Sequence, residues 1–383
     1  MTEACQVIGV LDNGAEGLSA GALAYVSEAD VVIGGARTLA LMQSHLSKQV
    51  STHDFSGKLT QVPQWVQQAQ ADNKRVVVLA TGDPLCHGIG KYLVAKLGAD
   101  NCEIVPNVSI VQLACARLGV AWQEIKICSI HGKDAGEWLP GADKAHGLYA
   151  LLQATRGYDA LAVFTGPENT PGRIARMLQL EGMAGDWRMS VVTQIHQQGE
   201  SIHRDIDIDV AAKTDFADPN IVLLQRSDAV EQPVLFGLAD DRYKQRKPDK
   251  GLITKREVRA VSLARMQLRA DSIVWDIGAA TGSVGLEAAR LCPKGHVYAI
   301  EKNEADAAIA LENKQSMAVS NYSLLNSKAP AGMETWPAPD AVFVGGSGGE
   351  LADLIELCLQ RLNTQGWLVM NFVTLENLST AVE

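Results

Sequence analysis

At 383 residues, 47 % hydrophobic and 20 % charged, the chain has material for two or three domains with sizeable cores and is too apolar to be disordered. A formal net charge of -10 speaks against general binding to nucleic acid or to a membrane surface, and no apolar run reaches spanning length. Seven scattered cysteines without a C-x-x-C pair, eight histidines without an H-x-x-x-H or H-E pattern, and no basic or long apolar leader predict a cytoplasmic protein with reduced core thiols and no metal.

In chain order, residues 6–10 read as a strand, 11–18 as a loop and 19–28 as a helix. A strand over 30–33 ends at Gly34-Gly35. The run RVVVLA at 75–80 is a continuous apolar strand that ends in Thr81-Gly82-Asp83-Pro84. Asp83 is a candidate N-cap with Pro84 at the first helical position. A helical segment over 88–97, a strand over 102–105 and the loop Pro106-Asn107-Val108-Ser109 follow. Strands alternating with helices predict an α/β fold with a parallel sheet.

Near Trp122 the rhythm changes. Strands are predicted over 125–130, 160–164, 189–195 and 220–224, with helices near 144–154 and 170–180. Residues 201–208 alternate apolar and polar, as an antiparallel strand does. The segment 229–250 holds Pro233, Pro248 and the run Tyr243-Lys244-Gln245-Arg246-Lys247, and reads as a linker with a solvated basic face. Thr254-Lys255-Arg256-Glu257 fits a capping box that opens a helix to about residue 269.

The densest signal lies between Asp271 and Glu301. An apolar strand over 272–277 runs into Gly278-Ala279-Ala280-Thr281-Gly282-Ser283. A helix follows until Pro293 and Gly295, and a second apolar strand ends on Glu301. This strand-turn-helix-strand unit suits a nucleoside: the glycines admit a ligand to the backbone, and the acid accepts from ribose hydroxyls. A G-x-G-x-x-G fingerprint would mean a dinucleotide pyrophosphate on the helix N-terminus. Here Asp276 precedes glycines at 278, 282 and 285. That D-x-G-x-x-x-G spacing resembles motif I of the S-adenosylmethionine-dependent methyltransferases, in which a carboxylate near the turn holds the methionyl ammonium directly or through water.

Further strands are predicted over 323–325, 341–344 and 367–373, then a helix from about residue 374. The methyltransferase sheet is seven-stranded, so a sheet truncated after its fifth strand is expected, with 367–373 at an open edge and a domain less stable than the N-terminal one. An open edge invites pairing with another chain, and a homo-oligomer is expected.

Longer segments carry a more specific resemblance. Gly251-Leu252-Ile253-Thr254-Lys255, Trp275-Asp276-Ile277-Gly278 and Val344-Gly345-Gly346-Ser347-Gly348-Gly349 resemble the C15-methylating, decarboxylating precorrin methyltransferases of cobalamin biosynthesis. Ser27 to Gly35, Thr81-Gly82-Asp83-Pro84, Pro106-Asn107-Val108-Ser109 and Gly166-Pro167-Glu168-Asn169-Thr170-Pro171 resemble the C5-methylating tetrapyrrole methylases. Fused in this order, they resemble the precorrin-6Y C5,15-methyltransferase (decarboxylating) family.

The resemblance implies a two-lobed tetrapyrrole methylase region over 1–228, with lobes of about 1–118 and 119–228. The linker 229–250 would join it to a Rossmann-like methyltransferase domain over 251–383. Each region would carry its own S-adenosylmethionine, with a tetrapyrrole as substrate. The implied cofactor residues are Gly82, Asp83 and Asn107 in the first region, and Asp276, Gly278, Ala280, Thr281, Gly282, Glu301 and Ala329 in the second. Gly345, Gly346, Ser347 and Gly348 would meet the substrate. The catalytic candidates are Thr254, whose capping role alone would also explain it, and His131, an acid for the substrate or else a packed loop histidine. The pattern departs at Leu11-Asp12-Asn13-Gly14, Asn107, Ala280 and Lys328. Two other readings stay open: a different small-molecule methyltransferase fusion, and a degenerate tetrapyrrole-binding protein with one weakened cofactor site.

Overall fold

The computed structural model describes residues 3–142, 144–227, 234–246, 253–346, 349–372 and 374–382. The chain forms two compact units, Met1–Leu139 with His146–Ala229, and Pro140–Ala145 with Val230–Glu383.

The first unit contains two sheets. One is a five-stranded sheet of order β3-β2-β4-β1-β5, built from β1 (Cys5–Val10), β2 (Val31–Gly34), β3 (Ser51–Asp54), β4 (Val76–Thr81) and β5 (Cys102–Val105). Every pairing in it is parallel. Successive side chains point to opposite faces, so Val7, Ile33 and Val78 enter one core while Ile8, Val32 and Val77 enter the other. Burial on both faces is why β4 is an unbroken apolar run from Val76 to Ala80 and why β1 is interrupted by only one polar residue, the buried Gln6. The helices α1 (Ala20–Glu28), α2 (Ala36–Met42), α3 (Val62–Ala71), α4 (Gly90–Leu97) and α5 (Ile110–Leu118) complete this lobe. Ser19 caps α1 by accepting from the Ala22 amide at 3.2 Å, and Ser109 with Gln112 forms a full capping box on α5. The α4 helix starts at Gly90, two residues later than its glycine-rich sequence predicts.

The other sheet has the order β6-β7-β10-β8-β9, with β6 (Lys126–Ser129), β7 (Ala160–Phe164), β8 (Trp187–Thr193), β9 (Ser201–Asp207) and β10 (Asn220–Arg226). Only β6 and β7 run parallel; the remaining pairs are antiparallel. The period-two pattern at 201–208 is β9, antiparallel to β8. The helices are α6 (Tyr149–Gly157), α7 (Pro171–Leu180), capped by Thr170, and the short α8 (Ile208–Ala211). The helix expected from residue 144 begins at 149, because His146 folds the preceding residues into a turn. Its ring accepts from the Leu148 amide at 3.1 Å.

The second unit holds a parallel sheet of order β13-β12-β11-β14-β15. Its strands are β11 (Ile273–Ile277), β12 (His296–Glu301), β13 (Tyr322–Asn326), β14 (Ala341–Val344) and β15 (Trp367–Met370). The helices are α9 (Arg256–Arg265), α10 (Ser283–Leu291), α11 (Glu304–Ser316), α12 (Leu351–Arg361) and α13 (Leu375–Val382). Among the described residues β15 is an edge strand. It ends at Met370, and Val373 lies outside the described residues.

Two expectations fail here. Residues 234–246, read as a linker with a solvated basic face, are packed onto the second unit. Tyr243 is 3 % exposed, the Lys244 amide donates to Asn313 Oδ1 at 2.8 Å, and Arg246 pairs with Asp306 at 2.7 Å. The proline and charge pattern hid this because Tyr243 is the one fully buried hydrophobic side chain among residues 234–246. The capping box at Thr254 does not form either. Lys255 occupies the N-cap without a side-chain bond, and the helix ends at Arg265.

Candidate functional site

In the second unit the strand order reverses between β11 and β14. An open parallel sheet has its ligand crevice there, at the carboxyl ends of the strands. β11 ends in the glycine turn, and the Gly278 and Ala279 amides close it on the Ile300 carbonyl at 3.0 and 3.1 Å. Gly278 has φ +72°, and a β-carbon on it would lie 2.6 Å from the Gly346 carbonyl oxygen, so only glycine fits. The ends of β11 and β14 therefore meet backbone to backbone. Gly282 is left-handed at φ +76° and caps α10. Ala280, where glycine is usual in the resembled motif, also has positive φ, at 48°.

Glu301 ends β12 and is 8 % exposed. Its Oε2 accepts from the Ala280 amide and its Oε1 from the Asn303 amide, each at 2.8 Å. A carboxylate has about four acceptor positions, so two stay free for a diol.

Around this turn lies a cavity of about 520 Å³. Gly278, Ala280, Glu301, Ala329, Thr254, Gly345 and Gly346 all line it, so seven of the residues expected from sequence come together. Ile300, Phe343, Val284 and Ala329 give an apolar wall, while Lys255, Lys302 and Lys328 bring positive charge. Lys328 is paired with Glu350 at 2.5 Å, and Lys255 with Asp240 at 3.7 Å. Ser347 and Gly348 lie outside the described residues.

Asp276, Thr281 and Gly282 do not line the cavity. Asp276 is 1 % exposed beneath the turn, where its Oδ2 accepts from the Gly285 amide at 3.0 Å and its Oδ1 has no hydrogen-bond partner. Burial, then the nearby Glu301 charge, raises its pKa to about 7. Sequence reasoning missed Ile253, Val258, Asn371 and Phe372 as lining residues. The signal for the last two was available: they follow β15 at the carboxyl edge.

In the first unit the ends of β1, β4 and β5 converge. A β-carbon on Gly9 would lie 2.2 Å from the Gly82 carbonyl oxygen and 2.8 Å from the Asn107 β-carbon. Asn107 donates from Nδ2 to the Gly9 and Gly17 carbonyls at 3.0 and 3.1 Å, and its Oδ1 accepts from the Val108 amide at 2.7 Å. Its side chain braces the strand ends and presents little to a ligand. Asp83 is no helix cap: it accepts from the Leu85 and Cys86 amides at 2.7 and 3.1 Å in a tight turn, well before α4.

His131 is exposed after β6, 2.9 Å from Ser129 Oγ through Nδ1. Asn169 ties this loop down by donating to the Ile130 and Lys133 carbonyls at 2.6 and 2.9 Å. His87, beyond the Asp83 turn, packs against Phe164 at 5.3 Å. Partial burial, and then the charges of His131, Lys126 and Lys91, lower its pKa. The turn after β4 thus faces the loop after β6. The β1 loop is tied to the second lobe as well, since Gln197 donates to Asp12 Oδ2 at 2.7 Å. Among the described residues no helix is long and apolar enough to cross a membrane, and no cluster of three His, Cys, Asp or Glu side chains could hold a metal.

Known proteins match both units. Residues 5–205 match the tetrapyrrole (corrin/porphyrin) methylases, and residues 247–383 the precorrin methyltransferase domain. A precorrin-6Y C(5,15)-methyltransferase [decarboxylating] of Sinorhizobium sp is 30 % identical over 370 residues, covering 96 % of this chain and 84 % of that one. A cobalt-precorrin-6B C(15)-methyltransferase (decarboxylating) of Salmonella typhimurium is 43 % identical over 130 residues, 34 % of this chain and 67 % of that protein. A cobalt-precorrin-7 C(5)-methyltransferase of the same organism is 29 % identical over 197 residues, 51 % of this chain and 88 % of that protein. Matched in both units and along nearly its whole length, the chain belongs to the tetrapyrrole methylases, in the precorrin-6Y C(5,15)-methyltransferase (decarboxylating) family.

Proposed function

We propose that each unit binds S-adenosylmethionine. The first unit methylates C5 of a reduced precorrin, and the second methylates C15 and removes carbon dioxide from an acetate side chain. The observation that carries this reading is the cavity at the β11/β14 reversal, which joins a glycine turn and an acid with free acceptor positions to the wall containing Thr254, Gly345 and Gly346. The residues fit an adenosyl ligand. Gly278 lines the cavity, Glu301 has acceptor positions for a ribose, and of the three lysines that line the cavity Lys255 and Lys328 are already paired with carboxylates.

When bound, the cofactor supplies an electrophilic methyl group. The protein's share is to orient and to exclude water. Glu301 and the turn fix one reactant. The apolar side chains of Ile300, Val284 and Phe343 keep water from the reacting face, and Lys302 offers a partner for a peripheral carboxylate. A conjugated ring accepts the electron pair left when carbon dioxide departs, so no nucleophile is needed there.

The test is mass analysis after incubating the full chain with a reduced precorrin and S-adenosylmethionine. Gain of two methyl groups with loss of one carbon dioxide is expected. Tetrapyrrole binding without any mass change would refute the reading in favour of a degenerate binder.

A further inference from the structure

Arg259 and Glu287 are both fully buried, each 0 % exposed, although neither lines the cavity. Glu287 sits on α10, the helix that starts at the glycine turn. Arg259 sits on α9, just after the wall segment 253–255. Its Nε donates to Glu287 Oε1 at 2.8 Å, and its Nη1 donates to the Thr254 carbonyl at 2.6 Å and to Asp240 Oδ1 at 3.2 Å. Its Nη2 donates to the Leu238 carbonyl. Glu287 also accepts from the Gly237 and Leu238 amides at 2.5 and 3.1 Å and from the Tyr243 hydroxyl at 2.7 Å. The Tyr243 ring stacks under the guanidinium at 4.8 Å.

We propose that Arg259 is a positioning residue for the second site. It holds the Thr254 wall at a fixed place relative to the glycine turn, and the 234–246 segment is the brace that keeps it there. This rests on the assignment of C15 chemistry to the second unit. The α9 N-cap makes no side-chain bond, and the Thr254 backbone is pinned by the side chain of Arg259. A buried ion pair whose guanidinium donates four hydrogen bonds keeps one geometry, because any shift strands a charge. Arginine is required for its planar fork: one side chain reaches a carboxylate on one helix and carbonyls on two other segments. Lysine keeps the charge and can satisfy Glu287 but cannot also hold Thr254 and Leu238.

The experiment compares the full-length chain with Arg259→Lys and, as a milder change, Tyr243→Phe. For Arg259→Lys we expect kcat of C15 methylation with decarboxylation to fall at least tenfold, while affinity for S-adenosylhomocysteine stays within about threefold and C5 methylation in the same molecule is unchanged. Tyr243→Phe should move the same way by less. Hydrogen exchange in peptides covering 253–259 should rise at least tenfold in Arg259→Lys, with peptides covering 278–291 unchanged. Wild-type C15 turnover, or equal loss of cofactor affinity and turnover, would overturn the positioning role. If the wild type itself lacks C15 activity, the proposed function fails, and the exchange pattern alone then decides the positioning role: unchanged exchange at 253–259 overturns it. Should Arg259→Lys fail to fold, Tyr243→Phe carries the same comparison.

Discussion

Asp276 offers the sharpest quantitative test of how the second unit is built. Its carboxyl is fully buried, receives one amide hydrogen bond from Gly285 and leaves Oδ1 without a partner. Burial raises its pKa from 3.8 to about 7. A carboxyl raised in the folded state stays neutral there while the unfolded chain ionises. Its stabilisation is therefore complete below about pH 4 and is lost as pH rises through 7. The shift of about 3 units at ~1.4 kcal/mol each sets a loss of up to about 4 kcal/mol between pH 4 and pH 8.

Asp276→Asn cannot ionise and still accepts from Gly285, but it places an amide NH2 where Oδ1 has no partner, at a cost of about 1–3 kcal/mol. The variant should be less stable than wild type at pH 4 and more stable at pH 8.5. Hydrogen–deuterium exchange of β11 and α10 peptides, corrected for the intrinsic pH dependence, reads the second unit alone. Equal destabilisation at both pH values would refute the reasoning and mean that the carboxylate is charged and partnered. Saturating S-adenosylhomocysteine should leave the wild-type slope in place, because Asp276 does not line the cavity; a flattened slope would place the ligand's ammonium on this carboxyl.

Three further substitutions probe the two sites. Glu301→Gln sets an amide NH2 donor against one of the two backbone N–H donors and removes the charge from the proposed ribose contact; a loss of about 1.5–3 kcal/mol, roughly tenfold or more, is expected in S-adenosylhomocysteine affinity at the second site by titration calorimetry, and unchanged affinity would remove Glu301 from the cofactor contact. Gly278→Ala combines left-handed backbone with a β-carbon 2.6 Å from the Gly346 oxygen. It should cost at least about 2 kcal/mol and displace the β14 loop, seen as lower melting and weaker ligand binding; a neutral variant contradicts the close approach. In the first unit, Gly9→Ala meets the Gly82 carbonyl at 2.2 Å and should cost about 3 kcal/mol in denaturant unfolding, whereas wild-type stability would show that the strand ends are not so tightly joined.

Much of this protein is written locally. Short, largely apolar runs such as 76–80 and 273–277 mark strands buried on both faces, because each alternate residue needs an apolar layer. The period-two pattern at 201–208 marks β9 for the same reason with one face wet. Glycines 278 and 282, and the acid at 301, were legible because left-handed backbone and a strand-end carboxylate each demand a residue type. Other features were settled only by distant partners. The exposed strand β3, Ser51–Asp54, has no apolar signature and exists because β2 offers it an edge. Asp276 reads as a ligand contact by spacing, yet tertiary packing buries it under α10, where Gly285 leaves room. Asn107 reads as a ligand contact, yet its amide is spent on carbonyls 98 and 90 residues away. The segment 234–246 looks like solvent-facing linker by composition, yet a buried glutamate 44 residues downstream of Tyr243 holds it in place. Local conformational preference is carried by neighbouring residues and can be read along the chain; burial and hydrogen-bond satisfaction depend on which segments meet, and that is decided only in the folded core.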